Sequence, residues 1–256
     1  MEWRRDKFSK VRRAFLYISD RLAQISAHRV IVDNEALRPF LVKSSQKTAE
    51  LISYPGDHVL RLDITKDSVE TDFSCLTVCR IEPENNCHLL LEAFAAAGRG
   101  HYIFVGNWNA SEYGRKLRIL FKDTPGLEMR DPTYDGQILA SLRENCTYYL
   151  HGHSVGGTNP SLVEMLFYDC QILAYDCSFN RATAGDAIKY FENKEDLTFL
   201  FGQDAKHVSI KRIELRSYYT RNKICGQYSR MIAELTESEK KDSNDVIYEK
   251  SNGLVD

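Results

Sequence analysis

No uninterrupted apolar run in this chain approaches the roughly 18 residues that span a bilayer, so nothing in it reads as a transmembrane helix. It also lacks any C-x-x-C pair, any G-x-G-x-x-G and any Asp-x-Asp. The first absence removes the common zinc-ribbon and thiol-redox motifs, and the second removes the dinucleotide-binding fingerprint. The third removes a common acidic pair for holding a divalent metal. Charge of one sign is missing too: 34 Lys and Arg stand against 36 Asp and Glu, a net charge of −2 with no global field to hold nucleic acid.

What is present suits one large or two modest globular domains: 256 residues, 43% hydrophobic and 27% charged. The seven cysteines form an odd set on apolar segments, which reads as buried, reduced thiols and a cytosolic protein. Asn109 and Asn145 head N-x-[ST] matches that then carry no glycan.

The first 28 residues read as a long amphipathic helix, with Trp3, Val11, Phe15, Ile18, Leu22 and Ile25 near helical spacing. Its first thirteen residues carry six Lys or Arg. Two readings stand side by side. The helix lies in the headgroup layer of an anionic membrane, or it packs inward and leaves a solvated basic face.

Beyond it, short apolar runs alternate with helical patterns. "RVIVD" (29–33), "AELIS" (49–53), "CLTV" (75–78), "YIFVG" (102–106), "CTYYL" (146–150) and "QILAY" (171–175) are strand candidates. "NEALRPFLVK", "NCHLLLEAFAAA", "SEYGRKLRILFK", "GQILASLREN" and "PSLVEMLFYD" read as helices, with Pro39 a blemish in the first. The alternation predicts an α/β fold with a Rossmann-like parallel sheet.

Ligands of such sheets sit where strands run into helices. "HGHSVGGTNPSLVEM" (151–165) is one such place. Gly156 and Gly157 bare the backbone, and Pro160 suits a first helical turn whose free N–H groups favour an anion such as diphosphate. Thr158, Asn159 and Ser161 can cap or donate, while Glu164 is an acceptor for sugar hydroxyls. Arg80, ending "CLTVCR", reaches for the same diphosphate, or else pairs with Glu82 or Glu84. His151 and His153 point the same way and could bind zinc. With no third ligand signalled, His153 is read instead as structural or as a hydrogen-bonding partner of the substrate.

"CRIEPENNCHLLLEAF", "FVGNW", "SEYGRKL" and "YLHGHSVGGTNPSLVEM" resemble the nucleotide-sugar-binding half of bacterial rhamnosyltransferases of the twin-Rossmann (GT-B) type, relatives of retaining glycosyltransferase family 4, over roughly residues 1–205. The resemblance implies transfer of L-rhamnose from dTDP-rhamnose to a lipid-linked saccharide in surface polysaccharide synthesis, at the cytoplasmic face of the membrane. It implies that Arg80 clamps the diphosphate, Glu164 holds the ribose, the 156–159 backbone faces sugar and phosphates, and Tyr134 in "DPTYDG" meets the base. Where many relatives carry a lysine, this chain has Asn85 and Asn86, and Gly156 stands where they carry a first glutamate. Asn85 is therefore counted among the donor-binding residues. Catalysis without a metal is expected, Arg80 and the helix end taking its part.

The same resemblance divides the chain. Residues 1–60 would be the remnant of an N-terminal acceptor domain, 61–70 a linker, 71–205 the donor domain, 206–237 a crossover helix and 238–256 a flexible tail. Such a chain binds its donor but turns over weakly or not at all alone. Alternatively, it is a non-catalytic nucleotide-sugar-binding module or half of a split transferase.

Overall fold

The computed structural model describes residues 3, 8–61, 73–201, 203 and 209–252, with backbone alone for 61 and 238–252. Residues 62–70 of the expected linker and 253–256 of the expected tail lie outside the described residues.

Six strands form one all-parallel sheet in the order β5-β4-β3-β6-β7-β8. They are β3 (Ser74–Val78), β4 (His101–Val105), β5 (Leu127–Arg130), β6 (Tyr148–His151), β7 (Gln171–Tyr175) and β8 (Lys189–Phe191). Strands buried on both faces need near-continuous apolar sequence, and every residue of β6 is buried. Successive side chains feed opposite cores. Cys75 and Leu150 join Phe94, Tyr102, Phe104 and Trp108 on one face. Leu76 and Tyr149 join Leu162, Val163 and Ile172 on the other. Between the central strands, the Thr77 hydroxyl donates to the Leu150 carbonyl at 2.7 Å and meets the Tyr102 hydroxyl at 2.8 Å.

The helices are α3 (Cys87–Ala97), α4 (Glu112–Leu120), α5 (Gly136–Glu144), α6 (Pro160–Met165), α7 (Ser178–Ala184) and α8 (Lys194–Leu200). Their starts obey capping chemistry. Ser111 accepts from the Gly114 amide and Asp135 from the amides of Gln137 and Ile138. From β3 the chain winds one way through β4 to β5, then returns to β6 and winds the other way. The β3–β6 junction is thus the topological switch point, where open α/β sheets bind ligands.

Four sequence expectations need correction. β5 and β8 went unread because both are short edge strands, four and three residues long, with no continuous apolar run. "NEALRPFLVK" is a 3-10 turn over Glu35–Phe40, since Pro39 withholds the amide an α-helix would need. α6 stops at Met165. The buried Arg212 guanidinium takes the carbonyls of Met165, Leu166, Tyr168 and Cys170, winding "LFYDC" into turns.

Ahead of the sheet lie α1 (Lys10–Ser26), β1 (Ile31–Val32), α2 (Lys43–Thr48) and β2 (Glu50–Leu51), with β1 and β2 paired in parallel. After it come α9 (Ile210–Arg216) and α10 (Arg221–Asn252). α10 lies against the N-terminal segment. The Arg221 amide donates to Asp57 at 2.8 Å, Gln227 donates to the Leu51 carbonyl at 3.2 Å, and Ile224 and Met231 pack on Ile52. Its backbone stays helical through 238–252, the stretch expected to be a flexible tail.

α1 does not take the inward-packed arrangement, one of the two readings its sequence left open. Its polar side meets the body, with Arg21 donating to the Phe40 carbonyl at 2.6 Å and Gln24 accepting from the Val42 amide at 2.7 Å. The apolar stripe faces outward.

Candidate functional site

Two loops leave the sheet at the switch point, 79–86 after β3 and 152–159 after β6, and they are fastened to each other along their length. Asn85, only 3% exposed, is the central fastener. Its amide donates to the Arg80 carbonyl at 2.6 Å, and its side-chain oxygen meets His153 Nδ1, also at 2.6 Å. The amide and hydroxyl of Ser154 both donate to the Glu84 carbonyl, at 3.0 and 2.8 Å. The Asn86 amide donates to the Gly152 carbonyl at 2.9 Å. Asn86 turns the chain in the left-handed region at φ 47° and so starts α3.

Gly156 and Gly157 are required by what surrounds them. Gly156 sits at φ +133°, and a Cβ there would lie 3.0 Å from His153 Nε2. A Cβ on Gly157 would lie 1.9 Å from Asp33 Oδ1. The loop is therefore docked on the segment after β1. The Thr158 hydroxyl donates to the Asp33 carbonyl at 2.5 Å, and its amide donates to the Asp33 carboxylate at 3.3 Å. The buried Asn34 amide reaches Thr158 Oγ1, the Phe179 carbonyl and Thr183 Oγ1 at 3.0–3.1 Å. Sequence reading missed Asp33 and Asn34. The turn signal "VDNEAL" hinted at a cap, and Asn34 does cap the 3-10 turn, but nothing local announced a partner 124 residues away.

The other predicted residues fall in distinct places. Asn159 caps α6, accepting from the Ser161 amide at 3.0 Å and hydroxyl at 2.8 Å, so both are spent on the helix start. Glu164 is 15% exposed and held on both oxygens. Arg143 of α5, 8% exposed, bonds Oε2, and His58 Nε2 lies 3.2 Å from Oε1. Neither Arg143 nor His58 was foreseen. Arg80 is half-exposed, with its guanidinium 3.6 Å from Glu82, which is the alternative its sequence left open. Tyr134 is 94% exposed on the loop before α5 and is not brought to the fastened loops by any contact in the structure.

His151 is 3% exposed, and burial pushes its pKa down to about 3, with the neighbouring His153 adding to the effect. It stays a neutral imidazole stacked on Tyr149. Among the described residues, no group of three His, Cys, Asp or Glu side chains is placed to hold a metal ion.

A cavity of about 270 Å³ lies on the far side of Asp33 and Thr158, walled by Tyr219, Lys223 and Gln227. Neither Arg80 nor Glu164 lines it. It is a seam between the N-terminal segment and the C-terminal helices.

No family model and no curated protein matches the chain. Solved structures do. Anabaena HepE in complex with UDP superimposes with a TM-score of 0.75 at 13% identity, covering 90% of this chain and 70% of HepE. Sucrose-phosphate synthase from Thermosynechococcus elongatus gives 0.71 at 14%, covering 88% of this chain and 62% of that enzyme. A glycosyltransferase from Rickettsia africae gives 0.70 at 12%, covering 87% and 67%. The fold is that of the GT-B glycosyltransferases.

Proposed function

We propose that this chain is the donor-binding part of a glycosyltransferase, holding a nucleoside diphosphate sugar at the sheet's switch point, beside the two fastened loops. The observation that carries the reading is the fastening itself. Asn85, Ser154 and Asn86 pre-order two strand-end loops at the switch point of a parallel sheet, so a ligand meets a shaped site at little ordering cost. The fold shared with glycosyltransferases, one of them in complex with UDP and another time with UDP-glucose, agrees with this class of ligand.

Within the site, Arg80 is the diphosphate group's cation, turning from its exposed pairing with Glu82, and the 156–158 backbone approaches the sugar and phosphates. Glu164 accepts from the ribose hydroxyls. His58 must first yield Oε1, while Arg143 keeps the carboxylate aimed. His153 and Asn85 shape the wall beside the sugar, and Asn159 with Ser161 contributes through the helix start that they fix. Arg80 and the loop amides stabilise the leaving diphosphate without a metal. The donor in this reading is dTDP-L-rhamnose and the acceptor a lipid-linked saccharide presented at the cytoplasmic face of the plasma membrane.

Turnover by the chain alone is slow in this reading. A charge-assisted hydrogen bond supplies about 1.5–3 kcal/mol, whereas enzymatic rate enhancements require about 8–23. Most of the difference comes from aligning acceptor and donor, which reaches roughly 7–11 kcal/mol.

Isothermal titration with dTDP, UDP and GDP tests the site. Arg80→Ala should weaken all three by about tenfold or more. Glu164→Gln should weaken the nucleotides but leave inorganic pyrophosphate unchanged. Unaltered affinities in both variants would place the site elsewhere.

A further inference from the structure

Asn85 fixes more than the position of its loop. The Arg80 carbonyl can only accept, so the Asn85 amide nitrogen, 2.6 Å away, faces it and the amide oxygen is left for His153. That oxygen lies 2.6 Å from His153 Nδ1 and can itself only accept, which puts the ring's proton on Nδ1. The neutral ring then carries its lone pair on Nε2. The backbone behind it is held as firmly, since the His153 carbonyl accepts from the amide of Asn180, a residue 2% exposed, at 2.8 Å. His151, with ring centroids 6.0 Å apart, stays neutral and sets no charge beside it. Nε2 lies against the glycine pair. A side chain begun at Gly156 would meet it at 3.0 Å, and among the described residues, chain neighbours aside, this ring alone comes within 4 Å of that point. The half-buried imidazole thus presents an acceptor at the edge of open space over bare backbone.

We infer that His153 selects the donor's sugar, accepting a hydrogen bond from one of its hydroxyls at Nε2 beside Gly156. The inference rests on the donor-binding reading above, which brings sugar and phosphates to the 156–158 backbone, and it tells the two apart. Ionised phosphate oxygens only accept, as does a lone pair, so the diphosphate lies away from Nε2. A hydroxyl donates, so the sugar lies against it. The order along the loop follows: the amides and Arg80 face the anion, and the ring three residues before Gly156 faces the sugar. Asn85 is then a positioning residue, because it sets which ring nitrogen carries the proton.

Titration calorimetry of dTDP and dTDP-L-rhamnose against the full chain and His153→Asn is the test, run at pH 8, well above the value of about 6.5 for an ordinary imidazole. An asparagine amide can still donate to Asn85, while nothing stands in for Nε2. dTDP should bind both proteins alike. dTDP-rhamnose should bind the variant roughly three- to tenfold more weakly, the loss of one hydrogen bond. Long-range proton–nitrogen correlation spectra of the wild type should show His153 protonated on Nδ1, a readout that needs no variant to fold. A ring protonated on Nε2 overturns the inference, and so does a loss of affinity that is equal for the two ligands or absent from both. A wild type that binds neither ligand instead refutes the donor-binding reading, and the role of His153 falls with it.

Discussion

Replacing Arg143 by methionine isolates the device that aims Glu164. The guanidinium is 8% exposed and its partner 15%, so the pair sits where charges are poorly hydrated. Two unit charges about 4 Å apart attract by about 4 kcal/mol at an effective dielectric of about 20. Removing one partner of a buried pair costs about 3–5 kcal/mol, because the other is left uncompensated. Glu164 is the more exposed partner and recovers some hydration, so Arg143→Met should lose about 3 kcal/mol. Glu164→Met strands the deeper guanidinium and should lose slightly more. The double variant should lose far less than the sum, since two apolar side chains replace two charges. Urea unfolding followed by circular dichroism measures all three, and a coupling of about 2 kcal/mol or more is expected. Additivity within about 0.5 kcal/mol would refute the idea that the pair acts as a unit. The same Arg143→Met protein should also bind dTDP less tightly, and unchanged affinity would separate the ion pair from the ribose contact.

His151 predicts a pH effect. Its native pKa of about 3 lies below the unfolded value, so its contribution is complete above pH 6.5 and drains away as pH falls toward 3. Between pH 7 and 5 the wild type should lose about 2 kcal/mol more than His151→Gln, and equal losses would mean that the imidazole is not held neutral. Gly157→Ala drives a methyl group into Asp33 and should cost about 1–3 kcal/mol. Asp33→Ala in the same chain should restore most of it, and no rescue would show that the clash lies elsewhere. Tyr134→Ala should leave stability within about 0.5 kcal/mol yet weaken dTDP several-fold. A nucleotide affinity identical to wild type would remove Tyr134 from the site.

The sequence displayed the sheet wherever burial on both faces forced continuous apolar runs. "QILAY" became β7 over its full length, and "CLTV" lies entirely within β3. It concealed β5 and β8, because an edge strand needs no such run. The loop 151–159 was legible because glycine pairs and a capping residue before proline are local chemistry. Arg143, His58, Asp33 and Asn34 were not, since each meets its partner through the fold, from 21 to 125 residues away. α1 showed its amphipathic spacing plainly, yet spacing alone does not say which side is welded to the body.

Arg212 ties the end of α6 to α9 and has a consequence for synthesis. The carbonyls it satisfies belong to residues made 42 to 47 positions earlier. At translation speeds of about 5–20 residues per second, they wait roughly 2–9 s for their donor. During that interval those carbonyls bond only to water, so the turns that follow α6 close only after α9 has been made.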